Sequence, residues 1–554
     1  MMKLSLTMIL LFLMGIGFSQ QIPQKYFVAF RDKNGTPYTI SDPQAFLTQR
    51  AIDRRNAQGI PIIEEDLPVN PTYVNKVAAT GVQVYTRCKW FNGITVRATD
   101  SSVLNSIRAL PFVQSVTRVT SYNSKKSDGA YRKFKVEKDL FRKSEPHKNL
   151  IPGTVQAYNY GPSYAQIHLL NGDVLHNEGY RGQGKVIAVL DDGFMNVDIN
   201  PEFDSLRANN QILGTRDFVE PDSDVYRQDS HGEGVLSTMA CDDPGNLIGT
   251  APKASYWLIR TEDVNSENIV EEYNWVVGAE MADSVGADII SSSLGYSSFD
   301  NDWMDHTCAD MNGYTNPSTR GANTAESKGM AISISAGNSG GYSTCVDSPS
   351  DAVAALAIGA VDSLGHYAFF SSTGTYVKPN LASMGVDCTV ASPDTSYGFA
   401  SGTSFSCPIN AGLMACLWQA RPTLTPSQLY LAIEKSSSQY AHPDSILGYG
   451  IPDYAKALVY AGAGIMSKTT YKAYPNPFKD GFTVSFDSNV SGSLDVTLIT
   501  LTGQTILNTR ENIASGGTNT FRINGLADLL PGMYLLRVTS EGTSQNFRLI
   551  KIEE

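Results

Sequence analysis

The sequence predicts an α/β protein: a parallel sheet with helices on both faces, preceded by a small α+β unit and followed by an all-β module. Three observations predict it. Between residues 152 and 465 short apolar strands alternate with helix-length segments. Upstream, two strand-like segments are followed by helical spacing, and downstream of Met466 short alternating strands follow one another with no helical stretch between them.

The elements follow in order. Met1-Met2-Lys3, the apolar run Ile9 to Phe18 and small residues at Gly17 and Ser19 form a secretory signal peptide over residues 1–19. The competing reading, a membrane anchor, asks for ~20 apolar residues, and this run is shorter. Residues 20–120 hold strands at Tyr26 to Phe30 and Gly93 to Arg97, then an amphipathic helix from Ser102 to Leu110 that Pro111 stops. Residues 121–151 contain Lys125, Lys126, Arg132, Lys133, Arg142 and Lys143 with few periodic apolar positions, so they read as a basic linker open to proteolysis.

In residues 152–465, Val186 to Leu190, Ala287 to Ile290 and Met330 to Ile334 are strands that each run into a polar or Gly-rich turn. In parallel sheets, ligands and catalytic groups gather at such carboxyl ends. Residues 466–554 supply strands at Phe482 to Phe486, Leu494 to Leu498 and Met533 to Val538, and hold neither cysteine nor histidine, which leaves them no expected part in catalysis.

At 554 residues the chain exceeds one hydrophobic core. Its net charge of −12 excludes nucleic acid as the main partner, since phosphate binding needs clustered Lys and Arg on a folded face. Export makes disulfides possible for the seven cysteines, and Cys308 with Cys345, which bracket a Gly- and Ser-rich stretch, is the favoured pair. Their spacing gives zinc no support.

Serine-dependent amide hydrolysis needs a nucleophile, a base, an acid that orients the base, and oxyanion donors. Asp191-Asp192-Gly193 closes the first buried strand, which half-buries a carboxylate; on its own it also reads as a turn or part of a calcium loop. His231 opens a helix-like segment, and a lone histidine is more often structural. Ser404, in Ser401-Gly402-Thr403-Ser404 before the apolar run Ile409 to Ala420, starts a helix, where free N–H groups favour negative charge; Gly-Thr-Ser alone also reads as a cap.

Together, Val189-Leu190-Asp191-Asp192-Gly193, His231-Gly232 with Val235, Ser335-Ala336-Gly337-Asn338, and Gly402-Thr403-Ser404 with Pro408 resemble the subtilase family, in the chain order Asp, His, Ser. The resemblance implies a subtilisin-like fold, a secreted serine endopeptidase with Asp191, His231 and Ser404 as catalytic triad, and Asn338 in the oxyanion hole. It implies that Ser293, Leu294 and Gly295 bind substrate as an added strand. Glu233-Gly234 depart from the family's pattern after His-Gly, which puts the packing of the histidine helix in question. The pocket around Ser293 to Tyr296 and Ser335 to Thr344 is small and polar, suggesting no fixed charge.

Residues 20–120, through Trp90-Phe91-Asn92-Gly93-Ile94-Thr95-Val96, resemble the subtilase propeptide, implying an intramolecular inhibitor; a permanent binding domain is the alternative. Residues 466–554, through Tyr474-Pro475-Asn476-Pro477-Phe478, Leu501-Thr502-Gly503-Gln504 and Pro531-Gly532-Met533-Tyr534-Leu535, resemble the sorting domain read by the type IX secretion machinery. A carbohydrate- or protein-binding β-sandwich shares that periodicity. The protein is then expected outside the cell or on its surface, acting on proteins or peptides, with no required cofactor; calcium often stabilises subtilases, and acidic loops such as Asp222 to Asp224 are candidates for a structural ion, with no ligand set that the sequence assigns. The rival from another class is a non-catalytic surface protein, a pseudo-peptidase or adhesin, on the same fold.

Overall fold

Val186–Asp191, built from aliphatic residues up to its terminal aspartate, is buried at every position, as expected of a strand covered on both faces. In the computed structural model this strand, β6, lies inside a seven-stranded sheet of order β14-β13-β12-β11-β6-β10-β7, in which β7 is Ile212–Asp217, β10 Ser255–Arg260, β11 Ile289–Ser292, β12 Ala331–Ser335, β13 Leu356–Val361 and β14 Leu381–Met384. All six pairings are parallel. The structure describes residues 24–120, 142–143, 158–462 and 472–552, less 99, 101, 221–223, 341–343, 375–376, 477, 489–491, 501–503, 514–516 and 541–542. The signal peptide, Lys125, Lys126, Arg132, Lys133, Asp222 and Leu501-Thr502-Gly503 therefore lie outside the described residues.

From β6 the chain builds β7 and, after the two-residue strands β8 Asp242–Asp243 and β9 Leu247–Ile248, β10 to one side and then β11 to β14 to the other. This reversal of strand order opens a crevice above the carboxyl ends of β6, β10 and β11. One core face holds Val189, Leu258 and Ile289 under the helices His231–Ala240 and Thr403–Ala420; the other holds Ala188, Ile290 and Ile332 under Val270–Val285 and Pro317–Ser327. The expected strand at Ala287 to Ile290 begins two residues later, because Ala287 and Asp288 still belong to the turn out of Val270–Val285, whose cap Gly286 has φ +82°. No described helix is long and apolar enough to cross a membrane.

The N-terminal unit is an antiparallel sheet of order β2-β3-β1-β4, with β1 Gln24–Phe30, β2 Gln83–Cys88, β3 Gly93–Ala98 and β4 Val113–Arg118. Helices α1, Gln49–Ala57, and α2, Pro71–Ala78, are capped by the Thr48 and Asn70 side chains, and α3 is Ser102–Arg108. The unit docks on helix Val270–Val285, which we number α5 after the histidine helix α4, His231–Ala240. Glu280 accepts the backbone N–H of Lys89 and Trp90 at 2.8 and 2.9 Å. Asp283 takes Arg54 at 2.6 Å, Arg55 at 2.7 Å and Lys89 at 3.3 Å. Burial alone would raise the Asp283 carboxyl, but Lys89, Arg54 and Arg55 outweigh it and hold it at about 2. Phe27 stacks on Tyr273 at 4.2 Å.

Two linker residues, β5 Arg142–Lys143, pair antiparallel with β16, Ser396–Ala400, the second strand of a hairpin whose first is β15, Cys388–Ser392. Arg142, read from sequence as a solvated linker cation, ion-pairs with Asp387 on that hairpin. The C-terminal module has strands β17 Lys472–Tyr474, β18 Phe482–Ser488 and β21 Gly517–Ile523 in one sheet. Strands β20 Thr505–Ile513, β19 Gly492–Thr500, β22 Gly532–Ser540 and β23 Thr543–Lys551 form the other, over a core that includes Phe478, Phe482, Val496 and Leu536.

Cys308 and Cys345 form a disulfide, as favoured, with Cα atoms 5.6 Å apart. The other five cysteines, admitted as possible bridges, are free and buried. Cys88 and Cys388 sit in strands, Cys407 and Cys416 on one helix and Cys241 just past the end of another, all as small apolar side chains. Replacing Cys308 and Cys345 with serine is expected to lower stability by about 4 kcal/mol for a loop of 37 residues, read as a fall in the urea midpoint.

Candidate active site

Asp191 ends β6 and is wholly buried, its carbonyl accepting the Thr261 N–H at 2.9 Å from the end of β10. Its Oδ1 accepts the Asp192 N–H at 2.9 Å and faces His231 Nδ1 at 2.7 Å. His231 is the first residue of α4, and the start of that helix is held by Asp192, whose Oδ1 accepts the Gly232 N–H at 3.1 Å. Only glycine fits at 232: a Cβ there would collide with the Gly193 carbonyl and stand 2.9 Å from Asp191 Cβ. Burial, then the carboxylates of Asp191 and Asp229, push the Asp192 carboxyl up from the ordinary carboxylate range. The sequence reading gave Asp192 no role; its signal was the second acid of Asp-Asp-Gly.

Ser404 is the second residue of Thr403–Ala420, the helix we number α7 after α6, Pro317–Ser327. The ring of Phe405 lies 6.1 Å from that of His231, which brings the start of α7 against the imidazole. The Ser404 carbonyl accepts the Ser293 hydroxyl at 2.7 Å, tying this turn to the Ser293-Leu294-Gly295 segment just past β11. Asn338 Oδ1 accepts both the N–H and the hydroxyl of Thr403, each at 2.9 Å. A backbone N–H can only donate, so the atom facing it is the amide oxygen and not the Asn338 NH2. Asp191, His231, Asn338, Ser293 and the Ser404 turn thus converge at the carboxyl ends of β6, β11 and β12.

Glu233 does not disturb the histidine helix. It is fully buried, and its Oε1 accepts the Asn200 amide at 2.6 Å; that amide also reaches the Ser392 carbonyl at 3.1 Å, clamping α4 to the hairpin. Burial pushes the Glu233 carboxyl up to about 8.

The expectation of a pocket without fixed charge is overturned. Asp347, three residues beyond the segment read as lining it, puts its carboxylate against Gly295 and Gly337. Sequence distance hid it: the bridge between Tyr296 and Ser348 folds this residue back between the two segments.

Glu262, Glu267 and Glu271 hold carboxylate oxygens within 4.8 Å of one another. Both Glu271 oxygens accept backbone N–H groups, from Asp263 and Asn268, and Glu262 accepts the Tyr296 hydroxyl at 2.5 Å. Glu271 and Glu262 thus already accept hydrogen-bond donors, and we assign no calcium to this cluster.

Residues 182–450 match the family described as "Subtilase family", residues 25–133 "Peptidase S8 propeptide domain, Bacteroidota", and residues 472–553 "Secretion system C-terminal sorting domain". Residues 182–450 are a domain of the subtilase family. Among curated relatives, subtilisin E of Bacillus subtilis (strain 168) is 28% identical over 302 residues, covering 53% of this chain and 72% of the relative. Subtilisin of Bacillus pumilus is 28% identical over 290 residues, 51% of this chain and 94% of the relative. The thermophilic serine proteinase of Bacillus sp. (strain AK1) is 28% identical over 309 residues, 55% of this chain and 68% of the relative. This subtilase is a serine-type endopeptidase with a propeptide and a sorting domain, secreted or displayed on the cell surface.

Proposed function

We propose that this subtilase hydrolyses peptide bonds through an acyl-enzyme on Ser404. His231 takes the Ser404 proton and returns it to the leaving amine. Asp191 fixes the imidazole tautomer and stabilises its charged form, and water then releases the acyl group by the same relay. The Asn338 NH2 and the Ser404 backbone N–H, at the start of α7, stabilise the tetrahedral oxyanion. Ser293, Leu294 and Gly295 pair with the substrate backbone. No step draws on a cofactor. The observation that carries this reading is the 2.7 Å contact of His231 Nδ1 with Asp191 Oδ1 at the carboxyl end of a central strand, with the Ser404 turn packed beside it.

The N-terminal unit acts as an intramolecular inhibitor until it is cut away, and the C-terminal module is read by the type IX machinery. We place the functional units at 1–19, 20–120, 121–151, 152–465 and 466–554. A mature product that keeps residues 20–120 or the last ~90 residues, by mass, refutes the corresponding half of this maturation.

The test of the chemistry is labelling by a serine-reactive fluorophosphonate. The wild type is expected to label and Ser404→Ala not to, with hydrolysis falling by a factor on the order of 10⁶. Equal labelling of both would sink the assignment and favour the non-catalytic surface protein.

A further inference from the structure

We infer that Asp347 anchors a positively charged side chain of the substrate, that of the residue whose carbonyl is attacked, so that this subtilase cuts after lysine and arginine. The inference rests on the Ser404 and Asn338 reading above and names the substrate class of that same site.

The placement comes from the backbone. Tyr296 donates to the Ser348 carbonyl at 2.7 Å and Ser348 donates back to Tyr296 at 3.2 Å, while the Asp347 N–H reaches the Ala336 carbonyl at 3.3 Å. Asp347 is therefore stitched to both segments that border the crevice, one ending in Gly295 and the other leading through Gly337 to Asn338. Its side chain fills the space both glycines leave open. A Cβ on Gly337 would collide with Asp347 Oδ2, and one on Gly295 would stand 3.0 Å from Asp347 Cβ and 3.2 Å from Oδ2. A peptide paired along Ser293 to Gly295, with its carbonyl oxygen at Asn338, sends the intervening side chain between these two segments and toward this carboxylate. Gly295 is exposed and Asp347 only half-buried, so the approach is open from solvent.

The electrostatics call for a cation. Burial pushes the Asp347 carboxyl up to about 6; the Ser297 hydroxyl, which donates to it, opposes this, and the nearby Asp351 carboxylate adds to it. Among the described residues no lysine, arginine or histidine acts on Asp347. Asp351 is differently served: it accepts the Thr319 hydroxyl at 2.5 Å and the Gly313 N–H at 2.8 Å, and Lys378 offsets its charge. The ionised Asp347 thus lacks the compensation its neighbour has, and a bound ammonium or guanidinium supplies it. An apolar side chain in the same place would bury the carboxylate with no partner. The chain's own sequence agrees: the linker that must be cut to free the enzyme carries Lys125, Lys126, Arg132 and Lys133.

The experiment is kcat/KM of the mature enzyme on matched peptides differing only at that residue, Lys, Arg, Leu or Glu, for wild type and Asp347→Asn. Wild type is expected to favour Lys and Arg over Leu by a factor on the order of 100, and Asp347→Asn to collapse that ratio. Preference for Leu, indifference, or a ratio unchanged by Asp347→Asn overturns the inference. Should the variant not fold, the wild type decides through pH. The ratio of Lys to Leu rates cancels the shared relay and reports the free enzyme. Because the carboxyl is raised, its charge is present above pH 6 and lost below, so the ratio falls between pH 7 and pH 5; a flat ratio refutes the role of Asp347. Hydrolysis of none of the four peptides would instead overturn the Ser404 reading, and this inference with it.

Discussion

Asp191→Asn is expected to lower kcat by about 10⁴-fold with little change in KM. Asp191 Oδ1 receives the Nδ1–H of His231 at 2.7 Å, which leaves Nε2 free of hydrogen to take the serine proton. The same oxygen accepts the Asp192 N–H at 2.9 Å, and that donor holds an asparagine oxygen equally well. The introduced NH2 then takes the place of Oδ2, so Nδ1–H keeps a neutral acceptor and what is lost is the carboxylate charge that stabilises the imidazolium formed when Nε2 takes the serine proton. The shape of the site is kept, because the substitution replaces one oxygen by one nitrogen. Steady-state kinetics with active-site titration separate the two parameters; a loss of less than tenfold in kcat contradicts the role given to Asp191.

The second large effect is expected at Asp283→Ala, on the face of α5 that receives the N-terminal unit. Asp283 is fully buried and neutralises Arg54, Arg55 and Lys89. Arg55 keeps a bidentate pair with Asp66, at 2.9 and 3.0 Å, but Arg54 and Lys89 lose their carboxylate inside the interface. Removing one partner of a buried ion pair costs about 3–5 kcal/mol, so inhibition of the mature enzyme by its N-terminal unit should weaken by roughly 10²–10⁴-fold. The measurement is the inhibition constant. An unchanged constant would show that Glu280 and the apolar contacts around Phe27 suffice. The sign of the pH effect is also fixed. Because the Asp283 carboxyl is held at about 2, its contribution to binding is complete above the ordinary carboxylate range and is lost only as pH falls toward 2. Mild acid therefore leaves this contact intact, and release of the unit depends on proteolysis.

Much of the site was legible in the sequence because its residues end or begin regular elements. Asp191 closes an apolar strand, His231 and Ser404 open helices, and those boundaries are written in local patterns of apolar residues and glycine. The strands at Val186 to Leu190, Gly93 to Arg97 and Phe482 to Phe486 were legible for the same reason, and the helix from Ser102 only overran its last turn. What escaped depends on contacts between distant segments. Asp347 reaches the crevice only through its pairing beside Tyr296, and Asn200 meets Glu233 across 33 residues. No periodicity encodes either meeting. Arg54, Arg55 and Lys89 had no part in the sequence reading, because their partner, Asp283, stands 194 to 229 positions away in a helix whose pattern gives no sign of a docking face. The cysteines misled for a related reason: export permits bridging, but only the three-dimensional approach of two sulfurs decides it.

That allocation of sulfur has a bearing on life outside a cell. The five unbridged thiols all lie in the interior, where burial pushes their pKa up, and the attacking group we propose is the Ser404 hydroxyl. Oxidants and reductants in the medium meet a closed bridge at Cys308 and Cys345 and no accessible thiolate. Hydrolysis by this molecule is thereby uncoupled from the redox weather of its surroundings.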